Sequence, residues 1–251
     1  MTTGAYDLIV VTGCSLSCGM EFNDRLLPPF ATSEQRRASI WKWYKDTHHS
    51  GSMRIDELNY VAIAKWQDKE REQSWPALLE RLSGIPVVNL SVIGASVGES
   101  LIHYTNFLKR DHKKRILAVH QLPGVGRMFM RFDKRSRIQM LPDNHELGYD
   151  KKYFADSIRN VKEQYKSRLL KDGYVEKHFR KVVLKLHKLS RERGINDYYI
   201  GNGVKGIEVP SRKFLIDDLQ ASLKDYKRGQ LGHPVDPSYN KYICGKILTI
   251  L

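Results

Sequence analysis

Long apolar runs are missing from this 251-residue chain. No stretch approaches the roughly 18 apolar residues that a membrane span requires, so neither a transmembrane segment nor insertion into a membrane is expected. The N-terminus lacks a basic segment followed by an apolar core, which argues against a signal peptide. Cysteine is scarce. Cys14, Cys18 and Cys244 cannot build a disulfide framework, and reduced thiols in a cytoplasmic setting fit them better. Three thiols without a second paired block also speak against a metal site formed by Cys14 and Cys18 with His48 and His49. No cofactor is expected. Hydrophobic residues at 41% and charged residues at 28% exclude a disordered chain, and the length suits one domain with insertions.

Acidic residues are outnumbered, 28 Asp and Glu against 42 Lys and Arg, for a net charge of +14. The excess is local. Residues 109–137 carry 10 Lys and Arg against two acids, and residues 151–193 carry 14 against five, so the remainder is slightly acidic. A localised basic surface points to an anionic partner such as nucleic acid, an acidic polysaccharide or an anionic lipid surface. The plainer reading is a pair of solvated helix faces.

The stretch around which the chain is organised is Asp7 to Glu21, DLIVVTGCSLSCGME. Leu8-Ile9-Val10-Val11 suits a strand covered on both faces, as in a parallel sheet, and Thr12-Gly13-Cys14-Ser15 ends it. Ligands bind at the carboxyl ends of strands in open α/β sheets, so Ser15 stands where a nucleophile is expected. Residues 22–74 read as an insertion, with helices expected over Glu34–Lys45 and Asp56–Arg71. A helix opens at Ser74-Trp75-Pro76, with a capping serine and an early proline, and stops at Gly84. Strands follow at Pro86–Leu90 and Ile116–Gln121, separated by a helix over Gly98–Lys109. Two basic amphipathic helices occupy 151–193. Asp197–Ile200 reads as a fourth strand, Phe214–Ile216 is too short to assign, and Tyr239–Leu251 closes the chain as a helix or a helix plus extended end. His103, His112, His178 and His187 read as ordinary surface residues. The alternation of strands and helices predicts a parallel doubly wound sheet.

A serine nucleophile needs a general base and backbone donors for its oxyanion, and His233-Pro234, ahead of the last helix, supplies a titratable base. Gly201-Asn-Gly203-Val-Lys-Gly206 fits the letters of a dinucleotide-binding loop, but Ile207-Glu208-Val209-Pro210 is no helix start, so a phosphate would lack its helix N-terminus. Cys14 is an alternative nucleophile to Ser15.

Gly13-Cys14-Ser15-Leu16-Ser17-Cys18-Gly19-Met20-Glu21, Ser74-Trp75-Pro76 with Leu78-Leu79, Val88-Asn89-Leu90 leading to Gly94-Ala95-Ser96, and His233-Pro234 together resemble the SGNH (GDSL-like) hydrolase superfamily. The likeness is to the branch whose first block reads Gly-Cys-Ser, found in bacteriophage and marine bacterial sequences. The resemblance implies a flavodoxin-like three-layer α/β/α sandwich, the SGNH hydrolase fold, and hydrolysis of an ester or an O- or N-acyl group. It assigns Ser15 as nucleophile, the amides of Ser15 and Gly94 to the oxyanion hole, and His233 as base. Two blocks depart from the family pattern. The third usually carries Gly-x-Asn-Asp, whereas this chain reads His120-Gln121-Leu122-Pro123, leaving Gln121 or Arg127 to supply the missing donor. An acid usually precedes the histidine by three residues, and that position is Gln230; Asp225 or Asp236 takes its place, or a Ser–His dyad operates. The expectation is a serine esterase or deacylase, its substrate an acylated carbohydrate if the basic surface binds an acidic polysaccharide. The alternative is a catalytically degenerate relative, phage-encoded, that binds nucleic acid or virion components.

Overall fold

Leu8, Ile9, Val10 and Val11 are all buried, and the strand they form, β1 (Leu8–Thr12), lies inside a parallel sheet with a neighbour on each side. A computed structural model describes residues 5–19, 33–47, 65–92, 95–110, 113–125, 128–131, 137–140, 173–201, 214–219, 226 and 236–251. The elements after β1 are α1 (Ser15–Cys18), α2 (Ser33–Thr47), a helix α3 described over 65–73, α4 (Trp75–Ser83) and β2 (Val87–Asn89). Then come α5 (Val97–Leu108), β3 (Ile116–Gln121), β4 (Met128–Arg131) and β5 (Arg137–Met140). The chain ends with α6 (Tyr174–Glu192), β6 (Asn196–Ile200), β7 (Phe214–Ile216) and α7 (Pro237–Leu248).

Five strands pair in the order β2-β1-β3-β6-β7, and every pairing is parallel. Leu8 sits opposite Ile116, Val11 opposite Val119, and Val119 opposite Tyr198. Successive side chains of a strand point to opposite faces, and both faces here are covered by helices. Leu8, Val10, Ile116 and Ala118 meet Tyr104 and Phe107 of α5 and Phe179, Val183 and Leu186 of α6. Ile9, Val11, Leu117 and Val119 meet Trp75 and Leu79 of α4 and Ile243 and Ile247 of α7. This two-sided burial is why the central strands are continuous aliphatic runs rather than alternating ones.

Several expectations change. Phe214–Ile216 is a strand after all, pairing with β6 at the sheet edge. The antiparallel hairpin of β4 and β5, with Met128 opposite Met140, was not expected. Ser74 stands at the N-cap of α4 without capping it; its hydroxyl donates instead to the Arg71 carbonyl at 2.6 Å, satisfying the end of α3. Trp66 of α3 and Ile40 of α2 are buried, Trp43 meets Trp66 edge-on at 4.8 Å, and Arg36 pairs with the buried Glu70 at 2.5 Å. The first basic helix expected within 151–193 lies outside the described residues, while α6 is the second.

His187 is not an ordinary surface residue. It lies on α6 beside the turn that carries Leu186 and Ser190 inward, and its Nδ1 meets the buried Asp197 of β6 at 2.8 Å. Asp197 also accepts the Tyr199 hydroxyl at 2.5 Å, so a buried carboxylate is held by two partners from two elements.

Leu117 is fully enclosed in the central strand β3. Truncation to alanine is expected to lower unfolding stability by about 2–5 kcal/mol, measured by urea titration; a loss below about 1 kcal/mol would contradict the packing described.

Candidate functional site

The carboxyl ends of β1 and β3 face each other at the point where the strand order reverses, since β1 leads outward to β2 and β3 leads the other way to β6. In open α/β sheets such a switch point opens the crevice that ligands use. From β1 the chain runs through Gly13 and Cys14 directly into α1, with the amides of Ser17 and Cys18 both donating to the Cys14 carbonyl at 3.1 Å. Ser15 is therefore the first residue of a single-turn helix; the structure describes its backbone and not its side chain.

Polar side chains from the flanking strands fasten this turn. The Ser17 hydroxyl donates to Oε1 of Gln121, the last residue of β3, and Gln121 Nε2 points to Cys14 Sγ at 3.8 Å. From β2, Asn89 Nδ2 donates to the Ser17 carbonyl at 3.0 Å, while its Oδ1 accepts the Ser91 amide at 3.0 Å. Leu90 donates to the Val11 carbonyl at 2.8 Å and Val92 to the Gly13 carbonyl at 3.3 Å, so the chain leaving β2 runs alongside the turn. Arg71 of α3 donates to the Ser91 carbonyl at 3.1 Å.

Two glycines make the close packing attainable. A Cβ at Gly13 would collide with the Ser17 hydroxyl and press on Gln121. Gly19, just past α1, has φ of 73°, and a Cβ there would meet the Glu70 carbonyl at 2.5 Å. A side chain at Gly19 is thus excluded by both backbone conformation and space.

Beneath the turn, on the α5 and α6 face, Thr12 Oγ1 and His120 Nδ1 share a hydrogen bond of 2.9 Å. His120 is enclosed between the rings of Tyr104 and Tyr199, at 4.8 and 5.3 Å between centroids, and its Nε2 has no hydrogen-bond partner among the described residues. Burial pushes its pKa down to about 4, against an upward pull from Asp197. The imidazole is therefore neutral across the ordinary pH range. On the opposite face, Tyr239 in the first turn of α7 is buried in the cluster that holds Cys14, and its hydroxyl also lacks a partner among the described residues.

Of the residues assigned from sequence, Ser15 and Gln121 come together at the switch point through Cys14 and Ser17. Asp236 caps α7, its Oδ1 accepting from the amide and hydroxyl of Ser238 at 2.9 and 2.6 Å. Gly94, Arg127, Asp225 and His233 lie outside the described residues, as does Gln230. Cys14 is 1% exposed, and burial raises the Cys18 thiol to about 12, so Cys18 carries no thiolate at neutral pH. Among the described residues no group of three or more His, Cys, Asp or Glu side chains is placed to hold a metal ion. Sequence reasoning gave no role to Ser17 or Asn89. The signal available for Asn89 was a lone carboxamide closing an otherwise aliphatic strand. No family model matches the chain, and comparison with curated proteins finds no match.

An unfolded histidine titrates near 6.5, whereas folded His120 resists the proton until about pH 4. Below pH 6.5 the unfolded chain gains a proton that the folded one refuses, so stability present above 6.5 is lost as the pH falls towards 4. The shift corresponds to a loss on the order of 3 kcal/mol. Urea titrations across this range are expected to show that loss in the wild type and not in His120→Asn; identical profiles would contradict it.

Proposed function

We propose that the chain is a serine hydrolase of the SGNH type, cleaving an ester or an O- or N-acyl group, with Ser15 as nucleophile and His233 as general base. The observation that carries this reading is the position of Ser15, at the start of a helix directly beyond the carboxyl end of β1 and at the β1/β3 switch point. Counting the sheet strands in chain order gives 2-1-3-4-5, the flavodoxin-like order, and helices cover both faces. Both features support a three-layer α/β/α sandwich of the SGNH kind.

In this mechanism the Ser15 hydroxyl attacks the acyl carbon while His233 takes its proton. The oxyanion is received by the backbone amides of Ser15 and Gly94, and His233 returns the proton to the leaving alcohol or amine. Water, deprotonated by the same imidazole, then releases the acid and regenerates Ser15. Gln121 supports the turn from beneath through Ser17 and Cys14. The Asp236 carboxylate is engaged by Ser238, so orientation of the imidazole falls to Asp225 or a backbone carbonyl. The buried, unpaired thiols Cys14, Cys18 and Cys244 favour a reducing compartment. Among the described residues no helix is long and apolar enough to cross a membrane.

The test is turnover of a chromogenic acetate ester, followed by acetylated carbohydrates. Ser15→Ala and His233→Ala are each expected to lower kcat/KM by about 1,000-fold or more. Undiminished turnover in folded Ser15→Ala, or none in the wild type across the ester panel, would contradict the assignment.

A further inference from the structure

The opposite end of the sheet has a chemistry of its own. α5 runs out through Lys109 and Arg110, and Lys113 to Arg115 lead into β3; α6 runs out through Arg191 and Arg193 into β6. β3 and β6 are hydrogen-bonded neighbours, with Leu117 opposite Asn196. Two basic segments about 80 residues apart in sequence are thereby brought to the same edge by helices that pack together, Tyr104 of α5 sharing a hydrogen bond of 2.9 Å with Ser190 of α6. All of these basic side chains are exposed.

Among the described residues, local acids offset few of them. Asp7 is engaged by Arg115 through contacts of 2.9 and 3.1 Å, and that pairing holds the Asp7 carboxyl down at about 2. Glu192 lies 3.7 Å from Lys188, one turn earlier on the same helix. Asp111 lies outside the described residues. Lys109, Arg110, Lys113, Lys114, Arg191 and Arg193 form a cationic face of six exposed side chains.

A groove of about 440 Å³ opens from this face along the β2 edge. Leu8, Val88, Leu90 and Phe107 line its apolar part, and His103, Asn106, Arg110 and Lys114 line its polar part. Arg110 and Lys114 thus belong both to the cationic face and to the groove. An anionic backbone on the face, with a flat, largely apolar unit carrying polar edges in the groove, matches a single-stranded nucleic acid, whose unstacked bases can leave the strand. A duplex keeps its bases stacked and has nothing to place there.

We propose that this part of the sheet binds single-stranded nucleic acid, its phosphates on Lys109, Arg110, Lys113, Lys114, Arg191 and Arg193 and a base in the Leu8–Val88–Phe107 groove. The cationic segments stand apart from the hydrolytic reading, because they lie at the other end of the strands from Ser15.

The experiment is fluorescence anisotropy of the full chain with a labelled oligo-dT across a salt series. Six phosphate contacts give a slope of log K against log salt of about −4. Lys113→Glu with Lys114→Glu, or Arg191→Glu with Arg193→Glu, is expected to weaken binding about tenfold or more and flatten the slope by roughly 1–2. Lys42→Glu on α2 and Lys241→Glu on α7, both exposed, are the controls and leave binding unchanged. Polyphosphate of matched charge binds about tenfold more weakly, lacking bases. Melting temperatures confirm that all variants fold, and ester turnover in them stays at the wild-type level, so failure here is distinct from failure of the hydrolase assignment. Absence of binding, equal weakening by the control substitutions, or equally tight binding of polyphosphate, heparin or phosphatidylglycerol vesicles would overturn the proposal.

Discussion

Burying a serine hydroxyl and a glutamine carboxamide at the ends of two parallel strands requires that they satisfy each other, and the bond from Ser17 to Gln121 is the contact on which the switch-point geometry depends. It ties the turn after β1 to the end of β3, while Asn89 ties the same turn to β2. Three adjacent strands therefore converge on one helical turn of four residues, Ser15–Cys18. Such a turn has little stability of its own. Its position is fixed by polar contacts with the sheet and by the lack of room for a side chain at Gly13 and Gly19.

The same economy of space appears on the other face of β1. Thr12, one residue before Gly13, is held by His120, and His120 lies among Tyr104, Tyr199 and the Asp197–His187 pair. Polar groups under the sheet thus form a connected patch rather than isolated defects, and their burial keeps His120 neutral. Among the described residues a group of exposed cations lies at the far edge of the sheet, where α5 and α6 end.

The parallel sheet was legible because its central strands are buried on both sides, and continuous aliphatic runs such as Leu8–Val11 and Ile116–Val119 have no competing explanation as short strands. The boundaries of β3 agree to the residue, and the helix after it in the sheet core, α6, was marked by Phe179, Val182, Val183 and Leu186 at helical spacing. Edges were harder. β7 has three residues and β4 and β5 four each, too few for a period to register. Even so, Met-Phe-Met and Arg-Ile-Gln-Met flanking Asp133-Lys134-Arg135-Ser136 carried a hairpin signal. His187 was misread because helical position alone does not reveal an aspartate arriving from the next strand. At the site, Ser15 and Gln121 were visible from their strand ends, whereas Ser17 and Asn89 work through backbone and carboxamide contacts across 104 and 72 residues. No local pattern encodes such contacts.

The central claim is that the turn after β1 presents an activated serine. The most direct measurement is reaction of the folded chain with a fluorophosphonate, followed by intact mass and peptide mapping. The account predicts a single adduct on Ser15, abolished in His233→Ala. An unmodified chain, or an adduct on any other residue that persists in Ser15→Ala, would contradict it.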